Sequence, residues 1–120
     1  MFELSIRDDF ASAHFLRGYE GSCKEVHGHT WKVEVVIQSD ILDSTGMVMD
    51  FKVVKKKLHE LLAKIDHVHL NNLPPFREVN PTTENLAKYI YEEFVALCQP
   101  LKVKAVRVWE SDLASVTYYP

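Results

Sequence analysis

The sequence has few residues that break or crosslink a chain, with only 4 glycines, 5 prolines and 2 cysteines among 120 residues. Collagen-like and low-complexity chains need an excess of glycine or proline, and disordered chains lack apolar residues, which here make up 47%. A lone disulfide adds little to a chain with this much core, so Cys23 and Cys98 are predicted to be free thiols. The composition therefore predicts one folded domain over residues 1–120.

Long apolar runs and an excess of positive charge are also missing. No run approaches the roughly 20 apolar residues of a membrane span, and Glu3, Arg7 and Asp8 stand where a signal peptide has its apolar segment. The formal net charge is −3, which does not fit the basic surface of a nucleic-acid-binding protein. We therefore expect a cytoplasmic protein with a small-molecule partner, and no nucleic-acid or membrane partner.

The hydrophobic pattern predicts four strands and two helices in the order ββααββ. Apolar residues alternate over about 2–7, 27–37, 103–109 and 115–119, and the first alternation can continue toward residue 14. Residues 47–51 are expected to extend the sheet briefly. The fold class is therefore predicted to be α+β, with two helices on one face of a four-stranded antiparallel sheet.

Apolar residues at three- and four-residue spacing predict the two helices and their buried faces. Asp50 can cap the first helix, and the second is predicted to begin within residues 80–84. The buried positions are expected to be Phe51, Val54, Leu58, Leu61, Leu62 and Ile65 in the first helix and Leu86, Ile90, Phe94 and Leu97 in the second.

Three of the six histidines, His14, His27 and His29, lie close together in the sequence. Side chains alternate along a strand, so His27 and His29 share the apolar face with Trp31, and His14 joins them unless a bulge breaks its strand. Buried imidazoles without partners are costly, and a metal ion removes that cost. Three histidines without a closing ligand are typical of a zinc site with an open position. The alternative is a set of hydrogen-bonded core histidines.

Cys23 lies four residues before His27, where a thiol near a bound cation is either a fourth ligand or an activated base or nucleophile. Asp66 and His67 are either an orienting pair for proton transfer or an ordinary helix end. Glu110 ends a strand, where it either accepts hydrogen bonds from a ligand or is solvated.

The remaining titratable side chains are assigned no chemistry. His59 and His69 are predicted to be surface residues, and Cys98 is predicted to pack as a small apolar side chain.

Six segments carry a resemblance to a known family. They are 10–14 (FASAH), 23–29 (CKEVHGH), 49–51 (MDF), 65–71 (IDHVHLN), 80–85 (NPTTEN) and 109–110 (WE). Together they resemble the 6-pyruvoyl-tetrahydropterin synthase family, in its 6-carboxy-tetrahydropterin synthase branch. The resemblance covers nearly the whole chain in order, and it implies the T-fold, which agrees with the predicted element order.

The resemblance assigns roles to the candidate residues. It implies one Zn²⁺ per subunit on His14, His27 and His29, and a proton-transfer triad of Cys23, Asp66 and His67. It also implies that Glu110 anchors a pterin ring in a pocket that contains Thr82, Thr83 and Glu84.

The implied activity is that of a lyase acting on 7,8-dihydroneopterin triphosphate, with release of triphosphate. Only three residues separate Cys23 from His27, as in the branch that forms 6-carboxy-tetrahydropterin and acetaldehyde for deazaguanine bases in tRNA; the sister branch retains a 6-pyruvoyl group. Some family members instead use a Glu before His-Gly-His and act on dihydroneopterin, a position that Glu25 matches imperfectly.

The resemblance also implies a homo-oligomer, either a trimer or a pair of trimers, with sites between subunits. The residue that receives the triphosphate is left open among Arg17, Lys24 and Lys32. The alternative to an enzyme is a non-enzymatic oligomerisation module, in which Cys23 is the fourth ligand of a structural zinc site.

Overall fold

A computed structural model describes all 120 residues of the chain. The strands are β1 (Phe2–His14), β2 (His27–Ser39), β3 (Lys102–Ser111) and β4 (Ala114–Tyr118), and the helices are α1 (Phe51–Ala63) and α2 (Thr83–Cys98). Short 3₁₀ turns occupy Ser22–Lys24, Leu70–Asn72 and Pro74–Phe76. The strands form one antiparallel sheet in the order β1-β2-β3-β4, so the predicted α+β class and element order are confirmed.

The pairing of β1 with β2 runs without a register shift from Phe2 opposite Ser39 to His14 opposite His27. Each of these strands has 13 residues. β1 includes the expected continuation from residue 7 to residue 14, and β2 ends two residues later than predicted. Because no bulge interrupts β1, His14 keeps the inward direction of Phe10. The register therefore places His14 and His27 side by side at one end of the sheet.

The core lies between one face of the sheet and the two helices. Inward side chains of β2 alternate with outward ones, and Trp31, Val33, Val35 and Ile37 are fully buried. They pack with Val54 and Leu58 of α1 and Leu86, Ile90 and Phe94 of α2 in one continuous apolar cluster. The opposite face carries ion pairs such as Arg7 with Glu34, which fits an antiparallel sheet with one solvated face.

The segment at residues 47–51 does not extend the sheet, so that prediction was wrong. The Asp43 carboxylate accepts hydrogen bonds from the N–H groups of Thr45 (2.9 Å) and Met47 (3.0 Å), which curls the chain into a loop. The chain then enters α1 through Asp50, whose carboxylate accepts from the N–H of Lys52 (2.8 Å), as predicted for the cap.

Two predicted core positions were also wrong. Phe51 is 58% exposed because it is the first residue of α1, and Leu97 is 41% exposed. On α2 the buried position is the next residue, Cys98, which is fully buried as a small apolar side chain. Neither helix combines the length and apolar content that a membrane crossing requires.

The buried face of α2 predicts unequal effects of shortening two leucines. We expect Leu86→Ala to lower the free energy of unfolding by about 2 to 5 kcal/mol, because it leaves a cavity in the core. Leu97→Ala should lower the free energy of unfolding by about 1 kcal/mol or less, because that side chain is partly solvated. Urea unfolding at one fixed protein concentration measures both, and equal losses would contradict the packing described for α2.

Candidate metal centre and active site

Three imidazoles meet where β1 ends and β2 begins. One ring nitrogen from each of His14, His27 and His29 lies within 4.8 Å of the other two. The ring centroids are separated by 4.5 Å (His14 and His27), 4.8 Å (His27 and His29) and 5.3 Å (His14 and His29). The structure thus brings together the three residues that the strand pattern placed on one face.

Carbonyl groups hold two of these rings in a single orientation. Nδ1 of His14 lies 2.7 Å from the Pro81 carbonyl oxygen, and Nδ1 of His27 lies 2.7 Å from the Glu25 carbonyl oxygen. A carbonyl can only accept, so each Nδ1 carries the proton and each Nε2 keeps a lone pair. Both rings are therefore in the tautomer that a metal ion requires at Nε2.

The surroundings of the three histidines favour a metal site over the alternative of hydrogen-bonded core histidines. Nε2 of His14 and Nε2 of His29 are buried without any hydrogen-bond partner. Burial lowers the pKa of His14, against the opposing effect of the Pro81 carbonyl, and burial likewise lowers the pKa of His29. Both rings are thus neutral at pH 7, the form that binds metal ions.

Glu110 borders the cluster from the end of β3. One carboxylate oxygen lies 3.6 Å from Nε2 of His29, and the other accepts a hydrogen bond from the Thr83 hydroxyl at 3.2 Å. Thr83 is buried in the first turn of α2. Glu110 is therefore a half-buried, oriented acceptor, and the alternative of a freely solvated strand end does not describe it.

The other two residues of the predicted pocket lie at the start of the same helix. The Thr82 hydroxyl caps α2 by accepting from the N–H of Asn85 (3.1 Å). Glu84 is exposed in the first turn of the helix. Of the predicted segment, only Thr83 contacts Glu110 by a hydrogen bond.

Cys23 lies at the centre of the 3₁₀ turn Ser22–Lys24 that leads into β2, and it is half-buried. Its carbonyl accepts from the N–H of Leu16 (2.8 Å), which ties this turn to the loop after β1. The thiol does not belong to the three-histidine cluster. Within this chain, Cys23 is therefore not a fourth member of the group that could hold a metal ion.

Asp66 and His67 lie on the free edge of β1. The Ala11 N–H donates to the Asp66 carboxylate (2.9 Å), the His67 N–H donates to the Ala11 carbonyl (2.5 Å), and the Ala13 N–H donates to the Val68 carbonyl (3.1 Å). The other Asp66 oxygen lies 2.9 Å from Nδ1 of His67. Asp66 and His67 therefore contact each other, attached to the strand that carries His14, and their role in proton transfer stays a prediction.

The backbone and electrostatics of this pair favour an ionised aspartate and an accessible imidazole. His67 has a left-handed backbone (φ 54°), and its side chain is 82% exposed. The Ala11 N–H, followed by the contact with His67, lowers the pKa of Asp66. No hydrogen bond joins either residue to Cys23, so one chain does not assemble the predicted triad.

Ser12 is a site residue that the sequence analysis missed. It is buried opposite His29, and its hydroxyl donates to the Ile65 carbonyl and accepts from the Val68 N–H (3.4 Å). These bonds attach the segment that carries Asp66 and His67 to β1, the strand that carries His14. A serine at an inward strand position, where its neighbours are apolar, was the signal that could have identified it.

His69 is not the surface residue that was predicted. It is half-buried because its backbone bridges to Ala13 in a short parallel contact at the edge of β1, and its Nδ1 is buried without a partner. His59 is exposed as predicted, 3.3 Å from Asp8.

Comparisons with known proteins agree with this fold. The family model for 6-pyruvoyl tetrahydropterin synthase matches residues 3–120. A 6-carboxy-5,6,7,8-tetrahydropterin synthase of Bacillus subtilis is 37% identical (99% of this chain, 86% of the relative), and a dihydroneopterin monophosphate aldolase of Pyrococcus furiosus is 36% identical (88% and 87%). The structure of Caenorhabditis elegans 6-pyruvoyl tetrahydropterin synthase superposes with a TM-score of 0.89 at 24% identity (99% and 95%), so the T-fold is confirmed.

The histidine cluster predicts one metal ion per chain. We expect His27→Ala to retain less than about a tenth of an equivalent after dialysis, because two imidazoles do not replace three ligands. His59→Ala, an exposed histidine outside the cluster, is the control and should keep the full equivalent. Elemental analysis of the purified proteins measures this, and full metal content in His27→Ala would contradict the assignment.

The two cysteines should differ in reactivity. Burial raises the pKa of the Cys98 thiol to about 11, so at pH 8 it is protonated as well as inaccessible. In a titration with a thiol reagent we expect one rapid equivalent in the folded protein and two after denaturation. Cys23→Ser should abolish the rapid phase; its persistence in that variant would contradict the burial of Cys98.

Proposed function

This chain belongs to the 6-pyruvoyl tetrahydropterin synthase family and is an enzyme of that family, and from this premise we propose its reaction. We propose that it converts 7,8-dihydroneopterin triphosphate to 6-carboxy-5,6,7,8-tetrahydropterin, acetaldehyde and triphosphate. The observation that carries the proposal is the open cluster of His14, His27 and His29 beside the oriented carboxylate of Glu110.

The choice of product follows from the sequence between the cysteine and the metal ligands. Three residues separate Cys23 from His27, the short spacing of the carboxy-forming branch, and the 37% identical relative from Bacillus subtilis carries that activity in its name. The first side-chain carbon becomes a ketone while the imine bond of the dihydropterin ring takes up the two hydrogens that this carbon loses, so the ring is reduced to the tetrahydro level without an external reductant. Elimination of triphosphate converts the other two carbons to an acetyl group. Water then adds to the first carbonyl, the bond between the first and second carbons breaks, and the second carbon takes up a proton, which gives the acid and acetaldehyde.

The proposed metal is zinc, held by His14, His27 and His29, whose neutral imidazoles and missing fourth protein ligand fit that ion. When bound, zinc lowers the pKa of hydroxyl groups on the substrate side chain and so favours proton loss near neutral pH. The carbonyls of Pro81 and Glu25 contribute by fixing two of the rings.

Glu110 positions the pterin ring in this proposal. Its carboxylate matches the amidine-like edge of a pterin, to which it can accept two parallel hydrogen bonds. The Thr83 hydroxyl donates to one oxygen at 3.2 Å and so holds the carboxylate plane. Thr82 and Glu84, at the N-terminus of α2, are proposed to line the same pocket; their positions next to Thr83 support this.

Cys23 and His67 exchange protons with the substrate side chain, and Asp66 orients His67. The Asp66 carboxylate lies 2.9 Å from Nδ1 of His67, which leaves Nε2 to take up or release a proton in solvent-accessible space. Cys23 acts as the second proton-transfer group, on the opposite side of the side chain. Glu25 contributes only its carbonyl, to His27, in this proposal.

A homo-oligomer, a trimer or a pair of trimers, brings the separated groups together. Asp66 and His67 lie on the outer edge of β1, whereas Cys23 lies in the turn before β2, and no hydrogen bond links them. A neighbouring copy that supplies Asp66 and His67 to the Cys23 side of this chain completes the triad. The edge of β4, and the part of the β1 edge before Ala11 that the segment with Asp66 and His67 does not cover, provide backbone groups for such assembly.

A second candidate function is side-chain cleavage of a less phosphorylated pterin. The 36% identical relative from Pyrococcus furiosus is named a dihydroneopterin monophosphate aldolase. Retention of the side chain as 6-pyruvoyl-tetrahydropterin is the other outcome found in the family. Both use the same pocket, so the choice of substrate and the mass of the product distinguish them.

The proposed product is a precursor of queuosine-type deazaguanine bases in tRNA, made in the cytoplasm. The contrasting role, a non-enzymatic zinc-stabilised module, requires Cys23 to close the metal site. That role loses support because the thiol lies outside the histidine cluster.

The test is incubation of the zinc-loaded protein with dihydroneopterin triphosphate, followed by mass analysis of the products. We expect the carboxy product and acetaldehyde in equal amounts. Cys23→Ala should keep its zinc and its fold while turnover falls by at least about a hundredfold, because proton transfer from a positioned group is lost. Cys98→Ala is the matched control and should retain turnover.

The outcomes separate the alternatives. Formation of the 6-pyruvoyl product would show 6-pyruvoyl-tetrahydropterin synthase activity instead. Turnover of dihydroneopterin monophosphate alone would show aldol cleavage. Loss of zinc and folding in Cys23→Ala, with no turnover of any pterin by the wild type, would instead support the structural module.

A further inference from the structure

Arg17 carries a guanidinium group without an acceptor, in the loop that follows the metal ligand His14. Its central carbon lies 5.2 Å from the centroid of the Phe15 ring, and its Nη1 atom is buried with no hydrogen-bond partner. No ion pair includes this residue. An arginine stays charged at any physiological pH, so a buried N–H of this group without an acceptor is unfavourable in the unliganded chain.

His69 presents a second unpartnered nitrogen against the same ring. Its imidazole centroid lies 5.7 Å from that of Phe15, and its Nδ1 atom is buried without a hydrogen bond. The Phe15 ring therefore contacts two side chains that can each donate a hydrogen bond, and neither finds an acceptor in the protein.

Two asparagines hold this loop rigidly. The Asn71 side chain accepts from the Phe15 N–H (2.9 Å) and donates to its carbonyl (3.0 Å). The Asn80 side chain does the same for Arg17, at 2.8 Å and 2.9 Å. The backbone of Phe15 and Arg17 is thus fixed before any ligand binds, and that of His69 is held by its bridge to Ala13. A donor on fixed backbone loses less entropy on binding.

The loop adjoins the candidate active site. The Leu16 N–H donates to the Cys23 carbonyl, and Asn80 precedes Pro81, whose carbonyl orients His14. Lys32, another cation considered for this role, is instead 2.5 Å from Asp112 on the solvated face of the sheet. Of these two cations, only Arg17 lies in the loop beside Cys23 with its charge unpaired.

We propose that Arg17, with His69 as a second donor, binds phosphate groups. The planar guanidinium presents paired N–H groups that match phosphate oxygens, and the absence of a neighbouring carboxylate partner leaves them free. The ligand is the phosphate chain of the substrate or, as product, free triphosphate. The assignment to the substrate depends on the proposed function, whereas the phosphate site itself does not.

Calorimetric titration of the zinc-loaded protein with inorganic triphosphate tests the site, with magnesium present to limit chelation of zinc. We expect Arg17→Ala to weaken binding by about tenfold or more, because a charge-assisted hydrogen-bond pair is lost. Arg17→Lys, which keeps the charge but not the paired N–H groups, should show an intermediate loss. Lys88→Ala removes an exposed cation of α2 and should bind like the wild type.

His69→Asn tests the second donor and should weaken triphosphate binding less than Arg17→Ala does. Zinc content and circular dichroism of each variant establish that it is folded; if Arg17→Ala is not, Arg17→Lys carries the test. Unchanged triphosphate affinity in a folded Arg17 variant overturns the proposal.

Kinetics distinguish this proposal from the proposed function. With dihydroneopterin triphosphate we expect Arg17→Ala to raise KM by about tenfold, whereas affinity for unphosphorylated dihydroneopterin stays unchanged. If the wild type turns over the substrate and Arg17→Ala has the same KM, the phosphate site is overturned but the proposed reaction is supported. No turnover by the wild type, together with Arg17-dependent triphosphate binding, refutes the reaction and supports the phosphate site.

Discussion

The pairing of β1 with β2 in one unbroken register determines where the chemistry of this protein lies. Side chains of a strand alternate between faces, so a slip of one residue would turn His14 to the solvated face while His27 stayed inside. Phe10 opposite Trp31 and Ile6 opposite Val35 oppose such a slip, because these buried apolar pairs would be exposed with it. The apolar core thus sets the positions of three polar side chains at the end of the sheet.

β1 connects the two parts of the site. Its inward face carries His14, and its outer edge binds the segment with Asp66 and His67 through backbone hydrogen bonds at Ala11 and Ala13. Ser12 joins the two through the core, since its hydroxyl bonds to the chain on both sides of that segment. Because His14 and the segment with Asp66 and His67 are attached to one strand, a distortion of β1 should displace both.

The local pattern of the sequence was sufficient for the four strands, the two helices and the grouping of three histidines. Strand alternation predicted that His27 and His29 share the face of Trp31, and the proximity of the three imidazoles agrees with this. The role of Glu110 as an anchor for the pterin ring comes from the family resemblance and stays a prediction. The prediction failed at residues 47–51, where the Asp43 side chain forms a local turn, and at Leu97, where the helical spacing does not specify which neighbour is buried. His69 and Ser12 depend on contacts between residues more than 50 positions apart, which no local pattern records.

The central claim is that three imidazoles hold a zinc ion whose remaining position is open to substrate, with Cys23 nearby but unbound. X-ray absorption at the zinc edge of the purified protein tests it most directly. The account predicts three nitrogen neighbours at about 2.0 to 2.1 Å, a further light atom and no sulfur. A sulfur neighbour at about 2.3 Å would contradict it, because the cysteine would then close a structural site.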